Sequence, residues 1–244
     1  MRWKLKIAGI FLLILTLLPQ VCLAASYKAR PNSSPANYSS SNPARLNADM
    51  LYATSAVAVD ASSGRVLFSK EPDRKIYPAS TTKVMTALLA LENLDMDQEV
   101  TVTKSCMVGE TSIYLEDGET LTVRELLYGL LLSSGNDAAV AIADAVAGDV
   151  PHFVALMNET AAELGMTNSS FANPNGLDAE GHLSTARDVA MMSREILLHH
   201  AEVRNYCSIW MDSLRNGAFG LSSTNKLVRY YEGCTGLKTG YTSG

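Results

Sequence analysis

Apolar and polar positions divide the chain into three stretches with different rhythms. Arg2, Lys4 and Lys6 precede an uncharged run from Ile7 to Leu18 that Pro19 interrupts. Residues 26–45 are rich in Ser, Asn, Pro and Ala and carry no apolar period, which reads as a flexible tether. From about Leu51 onward, periodic segments alternate with turn clusters.

Two β-rich runs, Ser55–Asp60 and Arg65–Lys70, flank Ala-Ser-Ser-Gly and predict a hairpin. Helical spacing over Ser80–Glu92 follows Pro78, and a short strand is expected at Glu99–Thr103. Thr122-Val-Arg-Glu125 is a capping box opening a helix over Val123–Leu132, and Ser133–Asn136 breaks it. An Ala-rich helix then runs over Asp137–Val146. Asp149 with Pro151 opens another that Gly165 closes. Phe171–Leu183 reads as a loop, Thr185–Asp188 caps a helix reaching about His199, and Gly233–Thr242 reads as a strand. Sheet at both ends with helices between predicts an α+β fold whose terminal strands meet in one sheet.

Composition refines this picture. The 244 residues are 47% hydrophobic and 18% charged, which is globular, and the net charge of −5 argues against a nucleic-acid partner. The run of about a dozen apolar residues is short for a membrane span of roughly 20. With small residues at Cys22-Leu-Ala24, residues 1–24 read as an export signal. Its removal takes three positive charges and leaves 17 basic against 25 acidic residues, or −8. The expected organisation is therefore signal 1–24, linker 25–48 and one folded domain over 49–244. Three cysteines, Cys106, Cys207 and Cys234, remain after cleavage, so at least one has no internal partner. His152, His182, His199 and His200 show no ligand spacing, and neither metal nor cofactor is expected.

Three short motifs can carry chemistry. In Ser80-Thr-Thr-Lys83 the first and last residues share a helix face, so the amine reaches the serine hydroxyl and can serve as its base. An N-cap serine ahead of a solvated lysine gives the same letters, so this motif alone decides nothing. Ser134-Gly-Asn136 lies between two helices, where a hydroxyl can relay a proton and an amide can orient a substrate or the lysine. For the tripeptide alone, a plain helix break with Asn136 as the next N-cap is the stronger reading. Lys238-Thr239-Gly240, followed by Tyr241, places a cation, a hydroxyl and a residue without a side chain where an anion could lie along the backbone.

In this order, S-x-x-K, S-x-N and K-T-G form the signature of active-site-serine penicillin-recognising enzymes. The chain resembles the low-molecular-mass penicillin-binding proteins that act as serine-type D-alanyl-D-alanine carboxypeptidases. Further blocks carry the likeness: Tyr77–Lys83, Leu131–Ala139, Phe171–Asp178, Ser184–Asp188 and Gly236–Thr242.

The resemblance implies a penicillin-binding-protein/β-lactamase-like transpeptidase fold of the α+β class, an antiparallel sheet with a helical subdomain. It makes Ser80 the acylated nucleophile, Lys83 its base, and Ser134 a proton shuttle. Asn136 would hold the substrate, and Lys238 and Thr239 would meet the terminal carboxylate of a peptidoglycan stem peptide ending in D-Ala-D-Ala. Gly240 would allow close approach, and the N–H groups of Ser80 and Tyr241 would form an oxyanion hole. β-Lactams would acylate the same serine.

Rival readings are a β-lactamase, a D,D-endopeptidase and a non-catalytic peptidoglycan-binding module. The first would use a glutamate from an E-x-x-L-N loop, where this chain reads Phe-Ala-Asn-Pro-Asn-Gly-Leu-Asp178. The last would show an eroded motif, and all three are intact. Relatives continue past K-T-G with two further strands and a closing helix, so the domain is expected to be incomplete at its C-terminus. Membrane contact is expected only through the signal or a missing C-terminal anchor, and the location is extracytoplasmic.

Overall fold

A computed structural model describes residues 47–242. The expected signal 1–24 and most of the expected linker 25–48 lie outside the described residues.

The hairpin forms as expected. Strand β1 (Ala56–Val59) pairs antiparallel with β2 (Val66–Lys70), with an irregularity between Ala58 and Val59. Asp60 nucleates the turn by accepting from the Ser62 and Ser63 hydroxyls at 2.7 and 2.6 Å and from the Ser63 N–H at 2.8 Å.

The next segment departs from expectation at its start. Ala79–Thr82 is a 3₁₀ turn, and the α-helix α1 begins only at Lys83, running to Asn93. Ala79 sits at φ 47°, which the regular helix does not admit. In a 3₁₀ turn residues i and i+3 eclipse, so Ser80 and Lys83 lie one above the other more directly than on an α-helix. Residues 83–90 are all buried, making α1 the core helix.

Strand β3 (Glu99–Thr101) pairs antiparallel with β4 (Thr120–Thr122). Helix α2 (Val123–Leu131) follows with the anticipated box: Thr122 Oγ1 accepts from the Glu125 N–H at 3.2 Å, and Glu125 Oε2 accepts from the Thr122 N–H at 2.8 Å. Helix α3 (Asn136–Ala147) is capped by Gly135, not by Asn136, whose side chain is engaged elsewhere. Its alanines let α1, α2 and α4 (Val150–Glu163) pack closely against it. Asp149 caps α4 through the His152 N–H at 2.8 Å. Gly165, at φ 74°, ends α4 in a Schellman turn, with Met166 N–H to Ala161 O at 2.8 Å and Gly165 N–H to Ala162 O at 3.0 Å.

Helix α5 (Ala186–His199), capped by Thr185, packs on β1. A short helix α6 (Arg204–Cys207) leads to a second hairpin of β5 (Met211–Leu214) and β6 (Phe219–Ser222), then to α7 (Leu227–Tyr230). No apolar alternation announces this hairpin, since M-D-S-L and F-G-L-S bury mainly Leu214 and Leu221.

Two expectations are corrected. Among the described residues the strands form three separate two-stranded antiparallel sheets, not one sheet joining the chain ends. Residues 233–242 form no strand either. A strand exists only as part of a ladder, and no described backbone pairs with this segment; it lies instead against the Ala79–Ser80 turn, where a Cβ on Gly240 would stand 3.1 Å from Ser80 N.

Candidate active site

Lys83 is the hub of the site. It is buried, and its Nζ lies 3.1 Å from Ser80 Oγ, 2.7 Å from Asn136 Oδ1, and in a short contact with the main-chain oxygen of Asn175. The two amide oxygens can only accept, so they take two N–H bonds from the amine. The third position, toward Ser80, is a lone pair when the amine is neutral. Burial, aided by the Lys238 charge, brings the Lys83 pKa down to about 7 against the opposing pull of Asp137 and Glu110.

The S-x-N loop is held by its own turn. Ser134 sits at φ 63°, and Gly135 N–H donates to Gly129 O at 3.0 Å. The Asn136 amide is oriented on both sides, since its Nδ2 donates to Gly109 O at 3.0 Å while Oδ1 faces Lys83. Next to it, the buried Asp137 carboxylate accepts from Ser112 Oγ at 2.5 Å and from the Ile113 and Leu115 N–H groups at 3.1 Å. These bonds shape residues 109–115 into one wall of the site. Ser134 is 5% exposed and faces the cavity.

The 172–178 loop is tied to the first turns of α1. Thr86 Oγ1 donates to Pro174 O at 2.6 Å. His182 Nδ1 accepts from the Ala172 N–H at 2.9 Å, so its other nitrogen carries the proton and donates to Thr82 Oγ1 at 2.8 Å. Burial lowers the His182 pKa to about 4, keeping this neutral tautomer at physiological pH. Gly176, at φ 88°, lets the loop touch the Ala79–Ser80 turn: a Cβ there would lie 2.0 Å from Ala79 O.

The fourth element is the K-T-G segment. Burial lowers the Lys238 pKa to about 8, and its Nζ donates to Thr239 O at 2.8 Å. Thr242 Oγ1 reaches the Asp178 carboxylate at 2.6 and 2.8 Å. A cavity of about 810 Å³ opens between these elements, lined by Ser80, Ser134, Asn136, Thr239, Gly240 and Tyr241 and also by Glu110, Thr111, Asn175, Asp178 and Thr224. The N–H groups of Ser80 and Tyr241 have no hydrogen-bond acceptor among the described residues.

All eight residues singled out from the sequence thus converge on one region. The motifs did not point to the Asn175 carbonyl, the Glu110–Thr111 wall or Thr224. A main-chain oxygen leaves no mark in residue type, although Asn175 lies inside the Phe171–Asp178 block.

A serine hydroxyl beside a buried amine and two N–H groups without acceptors is an arrangement that can support acyl transfer. The model of the D-alanyl-D-alanine carboxypeptidase family, peptidase S11, matches residues 42–244, and the chain belongs to this family. It is 42% identical over 199 residues to D-alanyl-D-alanine carboxypeptidase DacF of Bacillus subtilis, covering 78% of this chain and 51% of that one. Against DacB2 of Mycobacterium tuberculosis it is 37% identical over 193 residues, covering 77% and 65%. Penicillin-binding protein 5 of Haemophilus influenzae superposes with a TM-score of 0.73 at 30% identity, covering 78% of this chain and 58% of that one. A Streptomyces DD-transpeptidase superposes with a TM-score of 0.71 at 31% identity, covering 78% and 81%. The chain spans about half the length of several curated relatives it matches.

Proposed function

We propose that this chain carries the catalytic centre of an exported serine D,D-carboxypeptidase acting on peptidoglycan stem peptides that end in D-Ala-D-Ala. The observation that supports it most is the Lys83 amine, 3.1 Å from Ser80 Oγ and lowered to a pKa of about 7. Neutral Lys83 takes the Ser80 proton as Oγ bonds to the carbonyl carbon of the penultimate residue. The resulting oxyanion is met by the Ser80 and Tyr241 N–H groups. The C–N bond then breaks, and the leaving D-alanine takes a proton routed from Lys83 through Ser134. Water attacks the Ser80 ester, regenerating the hydroxyl and releasing the shortened peptide as a carboxylate. Lys238 and Thr239 receive the substrate's terminal carboxylate. β-Lactams acylate the same oxygen.

The names of the matched carboxypeptidases support this reading, as does the absence of a β-lactamase-type glutamate in the 172–178 loop. That loop offers Lys83 a main-chain oxygen instead, and its Asp178 carboxylate is occupied by Thr242. The test is covalent labelling by a fluorescent penicillin together with D-alanine release from a D-Ala-D-Ala peptide. Ser80→Ala abolishes both; a label that persists in Ser80→Ala overturns the assignment.

A further inference from the structure

The K-T-G hydroxyl does not stand alone. Thr239 Oγ1 is 2.6 Å from Thr224 Oγ1, and Thr224 itself lines the cavity. Thr224 is in turn anchored through its main-chain N–H to Leu132 O at 3.1 Å, the residue ending α2 two positions before Ser134. Its neighbour Asn225 holds the same segment at a second point, donating from Nδ2 to Gly236 O at 3.2 Å. Residues 224–225 therefore strap the K-T-G segment to the wall that carries Ser134 and Asn136.

We infer that Thr224 is a positioning residue that aims the Thr239 hydroxyl at the carboxylate of the substrate; this rests on the carboxypeptidase reading above. A carboxylate only accepts, so on binding Thr239 must donate to it. The Thr239 oxygen is then the acceptor within the threonine pair, and Thr224 becomes the donor. Its O–H fixes the Thr239 rotor and polarises the outgoing bond, since consecutive hydrogen bonds reinforce one another. Without Thr224 the Thr239 hydroxyl is free to turn toward water or the main chain. Thr239 meets a part of the substrate that does not react, so the contribution of Thr224 falls on binding more than on the chemical step.

The experiment compares Thr224→Val, which keeps the shape and removes the hydroxyl, with Thr224→Ser, which restores it. For a D-Ala-D-Ala peptide, the loss of one charge-directed hydrogen bond raises KM about five- to tenfold in Thr224→Val with kcat changed less than about twofold. Thr224→Ser returns KM to near the parent value. Acylation by a β-lactam with a free carboxylate slows in Thr224→Val, while acylation by its methyl ester does not. A merely structural role would slow both compounds alike and lower kcat, and that result overturns the inference. So does a Thr224→Val protein with parental KM. If the parent protein itself neither releases D-alanine nor takes the label, the functional reading fails instead.

Discussion

The Asn136 side-chain oxygen lies 2.7 Å from the buried Lys83 amine across 53 residues of chain. The contact joins the start of the core helix to the start of α3. It also completes the set of acceptors that leaves only the Ser80 direction open for a proton.

Rate should therefore follow the protonation of Lys83. Its pKa is lowered to about 7, so the neutral base is lost as pH falls. Acylation of Ser80 by a β-lactam falls about tenfold per pH unit below that point and levels off above it. Under the role proposed for Lys238, its deprotonation above about pH 8 removes the positive charge that would receive the carboxylate, so KM for a carboxylate-bearing peptide rises. A stopped-flow pH series of acylation and KM checks both limbs; a flat profile from pH 5 to 7 contradicts the role of Lys83.

Gly176 and Gly181 separate crowding from conformation. Both have positive φ, at 88° and 76°, but a Cβ on Gly181 meets nothing within 4 Å whereas one on Gly176 meets Ala79 O at 2.0 Å. Gly181→Ala costs only the left-handed backbone penalty, about 1–2 kcal/mol. Gly176→Ala must in addition push the loop off the Ala79–Ser80 turn, and it abolishes penicillin labelling. Thermal melts and labelling of the two variants give the comparison.

Asp137 is the organiser of the 109–115 wall. In Asp137→Asn the amide nitrogen faces donors that the carboxylate accepted, including Ser112 Oγ and the Leu115 N–H. Leaving buried donors unpaired costs about 2–4 kcal/mol. Ser112→Ala, which removes one donor and leaves the carboxylate the N–H groups of Ile113, Leu115 and Ala138, costs about 1 kcal/mol by the same reasoning. Denaturant unfolding of both variants measures the difference.

The local elements were written in local signals. Thr122 with Glu125, Asp149 with Pro151, and Gly165 mark helix ends because capping involves residues three or four apart. The three motifs were legible for a related reason: a hydroxyl, an amine and an amide that are to meet in one site need fixed residue types at short spacings. The second hairpin was not legible, because its strands bury only Leu214 and Leu221 and pair through main-chain groups that every sequence possesses.

What the sequence determined by itself was thus the residue types that make up the candidate site and most helix boundaries. What the tertiary structure decided was how those groups meet. Whether Ser80 and Lys83 share a face through a 3₁₀ turn depends on Ala79, whose left-handed backbone accommodates the approach of Gly176 and Gly240. The basicity of Lys83 depends on removing its amine from water and surrounding it with Asn136 and the Asn175 carbonyl. Residues 237–242 have a strand-like composition yet form no ladder among the described residues, because a strand is a property of two segments and not of one. Desolvation and pairing arise only between parts of the chain that folding brings together, and no local pattern encodes them.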